Sequence, residues 1–126
     1  MIKPKIITLC GSSKFVDVIA VCAWLLERDE GAITLSLHLL PQWYPNCSKD
    51  HQAEAEGVAA NMDELHLRKI DLADEVFVVN VGDHIGSSTK NEIKYAISLN
   101  KPIRYFIEDK IGEQVNKMFY VQESVQ

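Results

Sequence analysis

Two short apolar runs set the architecture this chain can adopt. Residues 5–10 (KIITLC) and 76–81 (VFVVNV) each lead through a loop of glycine and small hydroxyl residues into a helical pattern. Runs this short and this rich in Ile and Val read as strands buried on both faces. Glycine and serine after them mark turns. Two more runs, 32–37 and 101–107, have the same character. Helical patterns fill 15–30, 52–70 and 89–99, and the polar tail from about 108 carries a last short helix around 111–118. A longer loop, 38–50, holds Pro41, Trp43, Tyr44, Pro45 and Asn46.

Strands alternating with helices imply an α/β domain whose parallel sheet is covered on both faces. Right-handed crossovers then give a three-layer, doubly wound, flavodoxin-like sheet with strand order 2-1-3-4. The 126 residues suit one domain over 1–126, and no repeat or linker divides them. Gly31 is expected to stop the first helix. Residues 15–26 of that helix are apolar on nearly every side. Such a helix is buried on more than one side. In so small a domain a second copy of the chain is the expected cover, which makes the protein a homo-oligomer, at least a dimer.

The net charge of −5 argues against a nucleic-acid polymer as partner, because phosphate-tracking proteins carry a basic face. No apolar stretch reaches the length of a membrane span, and residues 1–5 run into a strand without a signal-peptide pattern. Cys10, Cys22 and Cys47 form no CxxC pair, so reduced thiols and a cytoplasmic protein are expected. His38, Cys47 and His51 match no common zinc spacing, so neither a metal nor another cofactor is expected.

Ligands of doubly wound sheets bind beyond the carboxyl ends of the strands, where the strand order reverses. That edge would carry the loops 11–14 and 82–89 and the aromatic loop after the second strand. Gly11, Ser12, Ser13 and Lys14 combine a permissive backbone, two hydroxyls, a cation and a helix start. These parts can hold a phosphate, and they also make an ordinary strand-to-helix turn. Gly86, Ser87 and Ser88 form a second such loop, with hydroxyl residues capping the helix and Glu92 in its first turn. Spacing leaves Glu92 two roles, a capping carboxylate or a nucleophile kept ionised by the helix N-terminus. Trp43 and Tyr44 either stack on a planar base or lid the sheet end. His66, a turn from Met62 and Ile70, reads as a satisfied, partly buried histidine. Cys10 ends a buried strand with no evident His or Asn partner and reads as inert. Asp74, at a helix-to-strand corner, is expected to bond local backbone.

Three blocks carry a family resemblance: Leu9-Cys10-Gly11-Ser12-Ser13, the stretch from Ile70 to Val78, and Ser87-Ser88-Thr89-x-x-Glu92-Ile93-x-Tyr95-Ala96. Together they resemble the nucleoside 2-deoxyribosyltransferase superfamily, especially its small bacterial and phage members. That superfamily also includes the 2′-deoxynucleoside 5′-monophosphate N-glycosidases. The resemblance spans roughly residues 5–107. It implies a flavodoxin-like fold and cleavage of the bond between a nucleobase and C1′ of a deoxyribose. The family nucleophile falls on Glu92, which would form a glycosyl-enzyme that water or a second base resolves. The first-strand loop, from Gly11 to Lys14, would hold the sugar or its 5′-phosphate, and a neighbouring subunit often completes the site. Two positions depart from the pattern. An Asp six residues before the nucleophile is here Gly86, and a further active-site Asp falls on His66. His66 is then the candidate acid/base, with Asp83 and His84 as alternatives. The rival function on the same fold is nucleotide binding or sensing without catalysis.

Overall fold

Four parallel strands form the sheet: β1 (Ile6–Gly11), β2 (Ile33–Leu35), β3 (Glu75–Val79) and β4 (Ile103–Tyr105), in the order β2-β1-β3-β4. The computed structural model describes residues 2–41, 43–44 and 51–125, with 119–125 described by backbone alone. Pro45, Asn46 and Cys47, singled out in the sequence, lie outside the described residues. Register pairs Ile6 with Ile33, Leu9 with Phe77 and Val78 with Tyr105.

Among the described residues five α-helices accompany the sheet: α1 (Val16–Glu30), α2 (Gln52–Ala55), α3 (Ala59–Leu72), α4 (Ser87–Ser98) and α5 (Lys110–Val125). Strand side chains alternate between faces. Ile7, Leu9, Phe77 and Val79 pack in one core cluster with Val18, Ile19 and Cys22 of α1 and with Ile111 and Val115 of α5. Cys10, Val76 and Val78 pack in a second cluster with Ile70 of α3 and Ala96 of α4. The result is the expected three-layer, flavodoxin-like α/β arrangement. Among the described residues no helix is long and apolar enough to cross a membrane.

Several local expectations need correction. The helix expected over 52–70 is two helices. Gly57 takes φ +73°, a left-handed conformation that glycine reaches without a Cβ clash, and the chain turns there before α3 begins. The Asp74 carboxylate does not bond local backbone. It accepts from the Ile6 amide at 2.8 Å and ties the start of β3 to β1. No side chain caps α4. Its N-cap is Gly86, and the helix starts at Ser87, two residues earlier than the pattern suggests.

The tail helix is longer than expected and changes the meaning of the apolar first helix. Ile111 and Val115 of α5 are fully buried beside α1. A Cβ on Gly112 would stand 1.9 Å from the Phe106 carbonyl oxygen, so only glycine lets α5 lie this close to the Phe106–Glu108 turn. Sheet and α5 together cover much of α1 within the chain, while Trp24 stays 58% exposed. Arg104 of β4 fastens the same side. It donates to Glu30 at 2.8 and 2.9 Å, to Glu75 at 3.0 Å and to Asp109 at 2.9 and 3.1 Å. Its guanidinium holds both Glu30 and Asp109 below the usual carboxylate range.

Candidate active site

The loops after β1 and β3 face each other across a cleft of about 340 Å³, with α3 forming its wall. This volume lies within the range of small-molecule sites. Gly11, Ser12 and Ser13 line it from β1, and Gly86, Ser87, Ser88 and Glu92 line it from α4. Ser12 acts as a local cap, accepting from the Lys14 amide at 3.3 Å.

The position of Glu92 follows from where α4 begins. With Gly86 as N-cap, the first turn holds no acidic residue, and Glu92 falls in the second turn. It is therefore not a capping carboxylate. Glu92 lies one helical turn before Ala96, which is fully buried against the sheet. The same stripe carries the Glu92 carboxylate inward, leaving its side chain 13% exposed. On α3, His66 precedes the fully buried Ile70 by one turn, and it is 5% exposed. On β1, the alternation that sends Ile7 and Leu9 toward α1 sends Cys10 toward α3 and α4.

Three elements thus bring three reactive side chains together. Cys10 Sγ lies 3.3 Å from His66 Nε2. His66 Nε2 lies 3.8 Å from Glu92 Oε1. The ligating atoms of all three lie within 4.8 Å of one another, close enough to share a metal ion. The Nδ1 atom of His66 is buried without a hydrogen-bond partner. The reading of Cys10 as lacking a histidine partner is therefore corrected, since His66 approaches it through the fold. His66 is likewise more buried than a partly exposed, satisfied histidine.

No protein-family model and no curated protein matches this chain.

Burial governs the charges of the cluster. It pushes the Glu92 carboxyl up to about 7, and the charge of Asp63 adds to the rise. Loss of hydration thus opposes the ionised form that a helix N-terminus favours. Burial pushes His66 down to about 4, helped by the charges of Lys69 and His38. A Leu9 backbone group pulls the other way without reaching hydrogen-bond geometry at Nδ1. Burial, with Glu92 beside it, holds the Cys10 thiol well above its ordinary value.

Other expected residues stand apart from the cleft lining. Lys14 lies outside it, with its ammonium 5.5 Å from the centre of the Phe15 ring. Trp43 is 80% exposed and also outside it, as is Tyr44, whose hydroxyl donates to Glu56 at 3.3 Å. Asp83 and His84 do not line the cleft; the His84 ring meets Phe15 edge-on at 6.1 Å. Lining residues that the sequence reading passed over include Asp63 and Lys69 on α3 and Glu54 on α2. Asp63 lies one turn before Leu67 on α3, and helical spacing is the signal that links it to His66. His38 and His51, considered as metal ligands with Cys47, both line the cleft.

Proposed function

We propose that this chain cleaves or transfers the N-glycosidic bond of a (deoxy)nucleoside or nucleoside 5′-monophosphate, with Glu92 as the nucleophile. The observation that carries this reading is the setting of Glu92. It is a carboxylate without a capping role, drawn inward on α4 and facing a nucleoside-sized cleft beside the β1 loop. The resemblance of the 9–13, 70–78 and 87–96 blocks to the nucleoside 2-deoxyribosyltransferases supports the same assignment.

In the reaction, an oxygen of ionised Glu92 forms a bond to C1′ of the sugar. The C1′–N bond breaks, and its electron pair leaves with the base nitrogen, which takes a proton from water. Water or a second base then attacks C1′ and releases Glu92. This is double-displacement chemistry at an anomeric carbon. His66 stays a neutral ring next to the nucleophile, and Asp63 supplies a second carboxylate to the cleft. Gly11, Ser12, Ser13, Ser87 and Ser88 offer backbone amides and hydroxyls to the sugar or its phosphate. A second copy of the chain would dock on the exposed Trp24 side of α1, which light scattering at micromolar concentration tests.

Liquid chromatography of deoxynucleosides and their monophosphates, incubated with wild type and with Glu92→Gln, tests the function. Free base is expected from wild type alone, and equal release by both proteins would end the assignment. Gly86 and His66, standing where the resembled family carries acidic residues, favour a second reading, binding without turnover. Calorimetry showing nucleotide binding, with no base released over hours, would select that reading.

A further inference from the structure

We propose that Cys10, His66 and Glu92 together bind a thiophilic divalent cation of the zinc class, and that the cation switches the site off by occupying Glu92. The three donors come from β1, α3 and α4, elements packed together through Ile70 and Ala96. Their separations, 3.3 Å from sulfur to Nε2 and 3.8 Å from Nε2 to Oε1, lie near those of a tetrahedral site. Zinc bonds of about 2.3 Å to sulfur and about 2.0–2.2 Å to nitrogen and oxygen set tetrahedral donors roughly 3.3–3.6 Å apart. These two separations therefore need shifts of only a few tenths of an ångström to seat an ion. The third separation also falls within the 4.8 Å bound.

The donor set selects the ion. One sulfur, one imidazole nitrogen and one carboxylate oxygen suit zinc, whereas magnesium and calcium demand a shell of oxygens. Three protein ligands leave a fourth position for water, which is the pattern of an exchangeable rather than a closed zinc site. His66 and Glu92 line the cleft, so the ion has a route in, while Cys10 is fully buried beside them. Coordination requires the thiolate, so binding releases the Cys10 proton to solvent. Sequence spacing carried no hint of this site, because its ligands are contributed by three distant segments.

Binding of the ion does not depend on the glycosyl-transfer reading; the switching-off rests on it. The two halves are tested separately. Tag-free protein is titrated with cobalt(II), which reports thiolate ligation as a sulfur-to-metal charge-transfer band in the near ultraviolet. The expected result is a band saturating at one equivalent, displaced by zinc, and absent from Cys10→Ser. Glu92→Gln should weaken cobalt affinity at least tenfold. No band in wild type, or the same band in Cys10→Ser, overturns the site. Should Cys10→Ser fail to fold, unchanged affinity in Glu92→Gln overturns it equally. In the second arm, stoichiometric zinc abolishes base release and a chelator restores it. Full base release by the zinc-loaded protein overturns the switch. Metal binding by a protein that releases no base even when metal-free overturns the switch and the glycosyl-transfer reading, while leaving the metal site in place.

Discussion

His66 Nε2 lies 3.8 Å from Glu92 Oε1, yet the two do not form an ion pair at neutral pH. Burial moves them in opposite directions, His66 down to about 4 and Glu92 up to about 7. Between those values the ring is neutral and the carboxyl is mostly protonated. The site thus holds Glu92, the proposed nucleophile, in a form that ionises as the pH passes neutrality. That order sets the pH behaviour of any chemistry done here.

Base release should rise with pH along a single limb centred near 7, following ionisation of Glu92, and level off above about 8. His66 titrates near 4 and contributes no falling limb near neutrality. Initial rates of base release from pH 5 to 9 check this. A bell with its falling limb close to the ordinary histidine value would assign His66 a charged acid role instead.

The same burial makes Glu92 a stability cost at high pH. Its folded value is raised above the unfolded one, so the folded chain holds the proton more tightly. That contribution is present at low pH and lost as the pH rises toward 7 and beyond. Glu92→Gln removes the burden. It should stabilise the protein by roughly 2–3 kcal/mol at pH 8 and by less than about 1 kcal/mol at pH 5. Urea unfolding of both proteins at the two pH values reads the difference. A variant less stable than wild type at pH 8 would contradict the account.

Lys14 should contribute little to phosphate recognition, since it stands outside the cleft lining. Lys14→Ala is expected to change the affinity for a nucleoside 5′-monophosphate less than twofold by calorimetry. A tenfold loss would bring the lysine back into the site.

Gly112→Ala should destabilise the fold through the Phe106 carbonyl. A methyl group cannot occupy a point 1.9 Å from that oxygen, so α5 must shift away from the Phe106–Glu108 turn. Overpacking of this kind costs typically 1–3 kcal/mol. A thermal midpoint within a degree of wild type would show that α5 is not held against the sheet as described.

The sheet order and the two site loops were legible because the signals are local. Apolar runs ending in Gly-Ser announce buried strands and turns whatever the rest of the chain does. Helix ends were less legible. Small hydroxyl residues before Glu92 suggested a side-chain cap, but Gly86 takes the N-cap position and Glu92 falls in the second turn. Gly57 broke a helix whose composition favoured continuity. The Cys10–His66 contact could not be read from spacing, because it depends on which face of β1 meets α3. Lys14 and Trp43, whose chemistry suits the site, stand outside its lining among the described residues.

Covalent catalysis by Glu92 is the central claim, and trapping the intermediate tests it most directly. A reaction with a deoxynucleoside would be quenched in acid within one turnover, digested and read by mass spectrometry. The account predicts a peptide containing Glu92 that is heavier by one deoxyribosyl group, absent when Glu92→Gln is used. Base release with no such adduct, or an adduct on another residue, would contradict it.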